Sequence, residues 1–346
     1  MMKILMTYIF SILTLSQTLR MCYQNKPPPL WSIVSSKLKN NARQWFIGRA
    51  EKSGIPWSDL VQKMSDETVF EQLRQEKKHI ESTFIEYPEY FLQPFHGYDN
   101  GNMEWKAAFE GEAATYSISV NYWKDTHYKD SEKWLRNNAT RHIEYFLMNR
   151  NRGKYDIKEI VDIGCSIGVS SEHLASTFKT SNILGIDLSP YFLAVANYRN
   201  RIKNYRIEYL HRNAEKTYIH TGSKDMVMIN FMLHELPFEP RMRVLKEAYR
   251  ILKPDGILAI LDLNPENLQK NLSINQFRKW AFEVTEPHIY SYYQHDMTMS
   301  IADAGFATIE EYKNDPINKI WIAEKNMLCV QKEKNVKPTV SVAFAN

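Results

Sequence analysis

From Tyr155 to Val330 short apolar, β-branched runs alternate with helical stretches, and this alternation leaves few folds open. The runs Glu159–Ile163, Ile183–Asp187, Arg206–Leu210, Met226–Asn230 and Ile257–Leu261 have the length and composition of strands covered on both faces. Helices between them would make βαβ units, so the predicted fold class is α/β with a mainly parallel, doubly wound sheet. Ser189-Pro190 predicts a helix start before Tyr191–Ile202, with Ser as N-cap and Pro at the first helical position. Lys253-Pro254-Asp255-Gly256 predicts a turn that ends a helix over Pro240–Leu252 and launches the next strand. The last two β runs, Phe306–Tyr312 and Lys319–Val330, have no room for a helix between them and are predicted to pair as an antiparallel hairpin.

Upstream the pattern is helical and strandless. Asn41–Ser53, Trp57–Met64, Ser65–Glu81, Met103–Tyr116 and Ser131–Asn149 place apolar residues at three- and four-residue spacings. The predicted organisation is a leader over 1–40, a helical cap over 41–152, an α/β domain over 153–331 and a disordered tail over 332–346. The leader carries an apolar run, Ile4–Leu15, behind Lys3. That run is shorter than the roughly 20 residues a membrane span needs and has the proportions of a signal-peptide core. Pro27-Pro28-Pro29 and an acid-poor segment follow, so the leader resembles the two-part address of proteins sent to plastids through the secretory route. An organelle, plastid-type, is the expected location, with the secretory pathway or the cytoplasm as alternatives.

The whole-chain net charge of +4 invites a nucleic-acid partner, but the charge is unevenly placed. Residues 1–50 hold seven basic side chains and no acid, while the chain from Glu51 onward carries all 40 acids and is slightly acidic. The three cysteines, Cys22, Cys165 and Cys329, are too widely spaced for a zinc site or a disulfide framework, and no metal-ligand cluster is apparent.

The segment Asp162-Ile163-Gly164-Cys165-Ser166-Ile167-Gly168 carries the chemistry. An apolar strand ends in an acid, and a loop of small residues leads into a helix, leaving backbone N–H groups open to a ligand. Asp187 ends the second strand, where a carboxylate can accept both hydroxyls of a ribose, and Arg212-Asn213-Ala214 follows the third, where an adenine edge can be read. The spacing is Gly-x-x-x-Gly, and Asp162 would repel a pyrophosphate, so the ligand is predicted to be a nucleoside bearing positive charge. The Gly-x-Gly-x-x-Gly fingerprint of a nicotinamide oxidoreductase is absent.

These residues resemble class I S-adenosylmethionine-dependent methyltransferases, in particular the group acting on small molecules. The resemblance covers about 155–330 and includes Asp225-Met-Val-Met-Ile-Asn-Phe-Met-Leu-His-Glu-Leu-Pro and Leu252-Lys-Pro-Asp-Gly-Ile-Leu. It implies a Rossmann-like seven-stranded sheet of order 3-2-1-4-5-7-6 with strand 7 antiparallel, and S-adenosyl-L-methionine as cofactor. It also implies roles by position: Gly164, Cys165, Ser166 and Gly168 beneath the methionine part of the cofactor and Asp162 near its amino group. Asp187 and Leu188 would lie at the ribose, Asn213 and Ala214 beside adenine, and Asn230 and Phe231 under the sulfonium. The family loop usually has glycine where Ser166 stands. His234-Glu235, at the mouth of the cleft after strand four, are the candidate base or acceptor anchor.

Pro94–Glu110, dense in turn formers and aromatics, is similar to a segment of a plastid and cyanobacterial-type branch, which implies a lid over cofactor and acceptor. Aromatics in Tyr116–Tyr128 and Ile289–His295 are candidates to wall the acceptor pocket or to be core. A small-molecule methyl acceptor is the expected partner, with no nucleic acid and no stable transmembrane span. A non-catalytic binding module of the same fold fits every residue named, since binding a cofactor does not establish transfer.

Overall fold

The computed structural model describes residue 41 and residues 43–325 apart from 121, 124, 125, 154 and 155. The expected leader and tail, with Cys22 and Cys329, lie outside the described residues. Seven strands form one sheet: β1 Glu159–Ile163, β2 Asn182–Asp187, β3 Ile207–His211, β4 Lys224–Asn230, β5 Leu252–Leu263, β6 Thr308–Lys313 and β7 Asn318–Glu324. Their order is β3-β2-β1-β4-β5-β7-β6, parallel except for β7, which runs antiparallel to both β5 and β6. The predicted terminal hairpin is therefore the β6–β7 pair.

Strand alternation explains the two cores. Val161, Ile163, Leu184, Ile186, Val227 and Ile229 face one side, while Ile160, Ile183, Met226 and Met228 face the other. Both faces are covered by helices, so the central strands read as continuous apolar runs. The Lys253–Gly256 segment lies inside β5, where the pairing with β4 shifts register between Lys224 and Met226. Asp255 there adopts φ +61°, so the predicted turn is a bulge in a longer strand.

The cap consists of a helix over 43–52 (α1), α2 Trp57–Ser65, α3 Glu67–Ile80 and α4 Trp105–Ser119. α3 starts where Asp66 accepts the N–H groups of Thr68 and Val69. The next helix, α5 Tyr128–Met148, was expected in the cap but lies on the sheet. Its Leu135, Ala139, Ile143, Phe146 and Leu147 join the core formed with Ile160 and Met228, so the apolar stripe that predicted the helix also fixes its layer.

α6 Val169–Thr177 follows β1 and α7 Pro190–Ile202 follows β2. α7 begins as its sequence predicts, with Ser189 accepting the Phe192 N–H and Pro190 in the first turn. α8 Phe238–Ile251 covers the opposite face. Four short helices not foreseen in the sequence fill the space between β5 and β6: α9 Pro265–Ser273, α10 Gln276–Thr285, α11 Ile289–Gln294 and α12 Met297–Asp303.

The cap is tied to the sheet at several points. Arg199 on α7 bridges Glu112 of α4 at 2.7 Å and Glu172 of α6 at 2.9 Å. Ser82 N–H donates to His211 Nδ1 at 2.9 Å, and the Ser189 hydroxyl donates to the Asn102 carbonyl at 2.6 Å. Arg43 of α1 makes a buried ion pair with Glu110 of α4, and Tyr98 donates to the same carboxylate at 2.6 Å. No helix of the described residues is long and apolar enough to cross a membrane.

Candidate active site

β1, β2 and β4 end side by side at Ile163, Asp187 and Asn230, next to the point where the strand order reverses. A crevice opens there in any sheet of this winding. Here the cap closes it into a cavity of about 510 Å³, within the range of ligand sites.

The cofactor end is built from the β1–α6 loop. Gly164 and Gly168 have φ of +71° and +83°, and Ser166 between them has φ +50°. A side chain at Gly168 would run into the Tyr209 hydroxyl and come within 3.1 Å of Ala196 Cβ, so the close approach of β3 and α7 requires glycine. Ser166 thus adopts the backbone shape that the family's glycine would, and its N–H donates to Asp187 Oδ2 at 2.8 Å. The Ser189 N–H donates to Asp187 Oδ1 at 2.8 Å. Each carboxylate oxygen keeps a free lone pair for a further donor. Burial pushes the Asp187 carboxyl up to about 6 against these backbone donors, a state that hydroxyl donors would relieve. Phe231, after β4, has φ +51°, a rare conformation for a bulky residue and one that clusters at functional sites.

The structure brings Gly164, Cys165, Ser166, Asp187, Leu188, Asn213, Ala214, Asn230, Phe231, His234 and Glu235 to the cavity wall. It does not bring Asp162 or Gly168 there. Asp162 is fully buried in β1, and its Oδ2 accepts the hydroxyls of Ser170 and Ser171 at 2.6 Å each. Burial raises its pKa and these hydroxyls oppose the rise. Asp162 therefore pins the start of α6 and so shapes the loop. Gly168 caps α6 beneath Tyr209. Cys165 is buried, and burial followed by the nearby Asp187 and Asp162 raises its thiol well above the usual range, which leaves it an inert wall group.

After β4, elsewhere on the cavity wall, His234 Nδ1 lies 2.6 Å from Asp262 Oδ1. Asp262 Oδ2 also accepts the N–H groups of Leu233 and His234 at 3.0 and 3.3 Å, fixing the turn after β4. Burial lowers the His234 pKa, but Asp262 outweighs it and holds the imidazole at about 9. Glu235 is pushed up to about 7 by burial, opposed by His96 and His234. His96, from the cap, has Nε2 2.9 Å from Glu286 Oε1 and 3.6 Å from Glu235 Oε1.

Asp262, His96 and Glu286 were missed in the sequence because they stand far apart along the chain, without fixed spacing. The available signal was the Phe95-His96-Gly97-Tyr98 turn inside the segment expected to be a lid. Of the candidate aromatic walls, Tyr122 lines the cavity, whereas the Ile289–His295 segment does not. Tyr292 is buried core, its hydroxyl donating to the Leu263 carbonyl at 2.6 Å.

Sheet order, antiparallel β7, small-residue β1–α6 loop and the acid ending β2 are the features of a class I S-adenosylmethionine-dependent methyltransferase domain, for which the cofactor is S-adenosyl-L-methionine. The residues present fit that cofactor: a half-buried carboxylate with open lone pairs lies beside a loop whose backbone only small residues leave clear.

Residues 161–260 match the family described as Methyltransferase domain. The chain is 29% identical over 112 residues to erythromycin 3''-O-methyltransferase of Saccharopolyspora erythraea, covering 32% of this chain and 37% of that protein. It is 32% identical over 113 residues to demethylmenaquinone methyltransferase of Listeria welshimeri, covering 32% of this chain and 46% of that protein. The chain thus spans less than half the length of these curated relatives. Among solved structures, phosphoethanolamine N-methyltransferase 2 of Haemonchus contortus in complex with S-adenosyl-L-methionine gives a TM-score of 0.39 at 17% identity, over 54% of this chain and 53% of that one.

Proposed function

We propose that the protein transfers a methyl group from S-adenosyl-L-methionine to a small-molecule acceptor held under the cap. The observation that carries this reading is that one cavity joins a nucleoside-type end, with Asp187 and the 164–167 loop, to an acid–base end with His234 and Glu235. Bound there, the cofactor supplies an electrophilic methyl group on a sulfonium.

The chain's own residues do the rest. Asp187 holds the ribose hydroxyls, the 164–167 backbone lies beneath the methionine part, and Asn213 and Ala214 flank the adenine. The Asp262–His234 pair keeps Phe231 to Glu235 in place, and Glu235 faces the acceptor as its anchor or base. The cap excludes water, so alignment and desolvation supply much of the rate.

The test is calorimetric titration with S-adenosylhomocysteine, together with turnover on a metabolite panel. Asp187→Ala removes two hydrogen bonds to a charged group, each worth about 1.5–3 kcal/mol, so affinity is expected to fall roughly 100-fold or more. Unchanged affinity in that variant refutes the site assignment. Tight binding without turnover on any acceptor would make the protein a binding module.

A further inference from the structure

At the acid–base end two carboxylates converge on a single imidazole and wait for a donor. His96 sits at the first central position of a two-residue hairpin whose ends, Phe95 and Tyr98, exchange backbone hydrogen bonds of 3.1 and 2.8 Å. His96 and Gly97 have φ of +52° and +81°, the pattern of a tight hairpin turn with both central residues left-handed. The His96 N–H donates to the Thr285 carbonyl at 3.1 Å, so the turn is stitched to the end of α10 and the imidazole is held in place.

Glu286 uses Oε1 on His96, while its Oε2 is buried and has no hydrogen-bond partner among the described residues. Glu286 is only 6% exposed, and it lines the cavity. A buried carboxylate oxygen left unpaired is costly, and in a roomy cavity it marks where a ligand donor belongs. Tyr90, Phe95, Phe282 and Leu236 line the same cavity and give it an aromatic and apolar component.

Resting on the methyl-transfer reading, we infer that Glu286, His96 and Glu235 form the acceptor subsite, and that the acceptor is a neutral hydroxyl compound with an aromatic or otherwise apolar body. The hydroxyl is preferred to an amine on chemical grounds. Two carboxylates around an amine would hold it as ammonium, whose lone pair is blocked, whereas around a hydroxyl they accept the proton that must leave. The hydroxyl oxygen forms the new bond to the methyl carbon while the carbon–sulfur bond breaks with its pair on sulfur. The proton passes to Glu235, so the charge lost at the sulfonium is matched by the charge neutralised on the carboxylate. His96, whose pKa burial lowers but Glu286 and Glu235 raise on balance, orients the Glu286 carboxylate through their 2.9 Å contact, a positioning role.

The test titrates 4-propylphenol, its methyl ether 4-propylanisole, and 4-propylaniline into the full chain by calorimetry, with and without saturating S-adenosylhomocysteine. Expected is binding of the phenol at least tenfold tighter than of the ether or the aniline. Glu286→Gln should reduce that preference at least fivefold while S-adenosylhomocysteine affinity stays the same; His96→Gln should do likewise and serves if the first variant misfolds. A residue with a merely structural role would weaken phenol and ether alike. Equal affinity for phenol and ether, tighter binding of the aniline, no phenol binding at millimolar concentration, or an unchanged preference in both variants would each overturn the inference. A protein that shows the phenol preference but binds no S-adenosylhomocysteine would uphold the subsite and refute methyl transfer.

Discussion

The two ends of the cavity are made in opposite ways. The cofactor end is built mainly on one short stretch, Ile163 to Ser189, in which strand, loop, helix and strand succeed one another, with Asn213, Ala214, Asn230 and Phe231 added just after β3 and β4. The acceptor end is assembled from the cap turn at His96, the β4 turn at His234 and Glu235, and the segment after α10 at Glu286. The first is local and rigid, set by backbone shape and by Asp162 clamping Ser170 and Ser171. The second depends on the cap being docked. Perturbing the cap should therefore damage the acceptor end first, and perturbing the β1–α6 loop should damage both.

The largest effect expected from breaking this division is at Glu110. It is buried and paired with Arg43 and Tyr98, so Glu110→Ala strands a buried guanidinium. Such losses cost about 3–5 kcal/mol, and urea denaturation should show the cap melting early. Replacing both partners together, Arg43→Met with Glu110→Leu, should recover most of that loss.

A smaller effect sharpens the cofactor end. Asp187 must be ionised to accept two hydroxyls, and burial holds its pKa at about 6, above the ordinary 3.8. Cofactor affinity is then fully present above about pH 7 and is lost as pH falls through about 6. S-adenosylhomocysteine should bind roughly tenfold more weakly at pH 5 than at pH 7, by calorimetry at both values. An Asp187→Ala variant should show no such dependence.

The smallest effect is at Ser166, which adopts a left-handed backbone without being glycine. Ser166→Gly removes about 1 kcal/mol of strain and adds a similar unfolded-state entropy. Stability and cofactor affinity should both change by less than about twofold. A large loss would mean that the hydroxyl itself holds the ligand.

The same contrast explains what the sequence made legible. The start of α7 at Ser189 and the β6–β7 hairpin could be anticipated because each rests on neighbours close in the chain, whereas the sheet order and the placement of Gly164, Ser166, Asp187, Asn213 and Phe231 at the cavity were implied by the family resemblance of local motifs. Asp162 is absent from the cavity wall because its partners Ser170 and Ser171, on the following helix, hold the carboxylate behind it. α5 was assigned to the cap because a helical stripe reveals that a face is buried without revealing against what. Glu286 and Asp262 carried no signal at all, since a lone carboxylate becomes functional only through partners that tertiary packing supplies.

The most direct measurement compares S-adenosylhomocysteine affinity, at pH 7.5, of the unaltered protein, of Asp187→Ala and of the double variant His96→Gln with Glu286→Gln. The expected result is a loss of roughly 100-fold or more in Asp187→Ala and a change of less than about threefold in the double variant. Equal losses in both, or none in Asp187→Ala, would contradict the division of this cavity into a locally built cofactor end and a cap-assembled acceptor end.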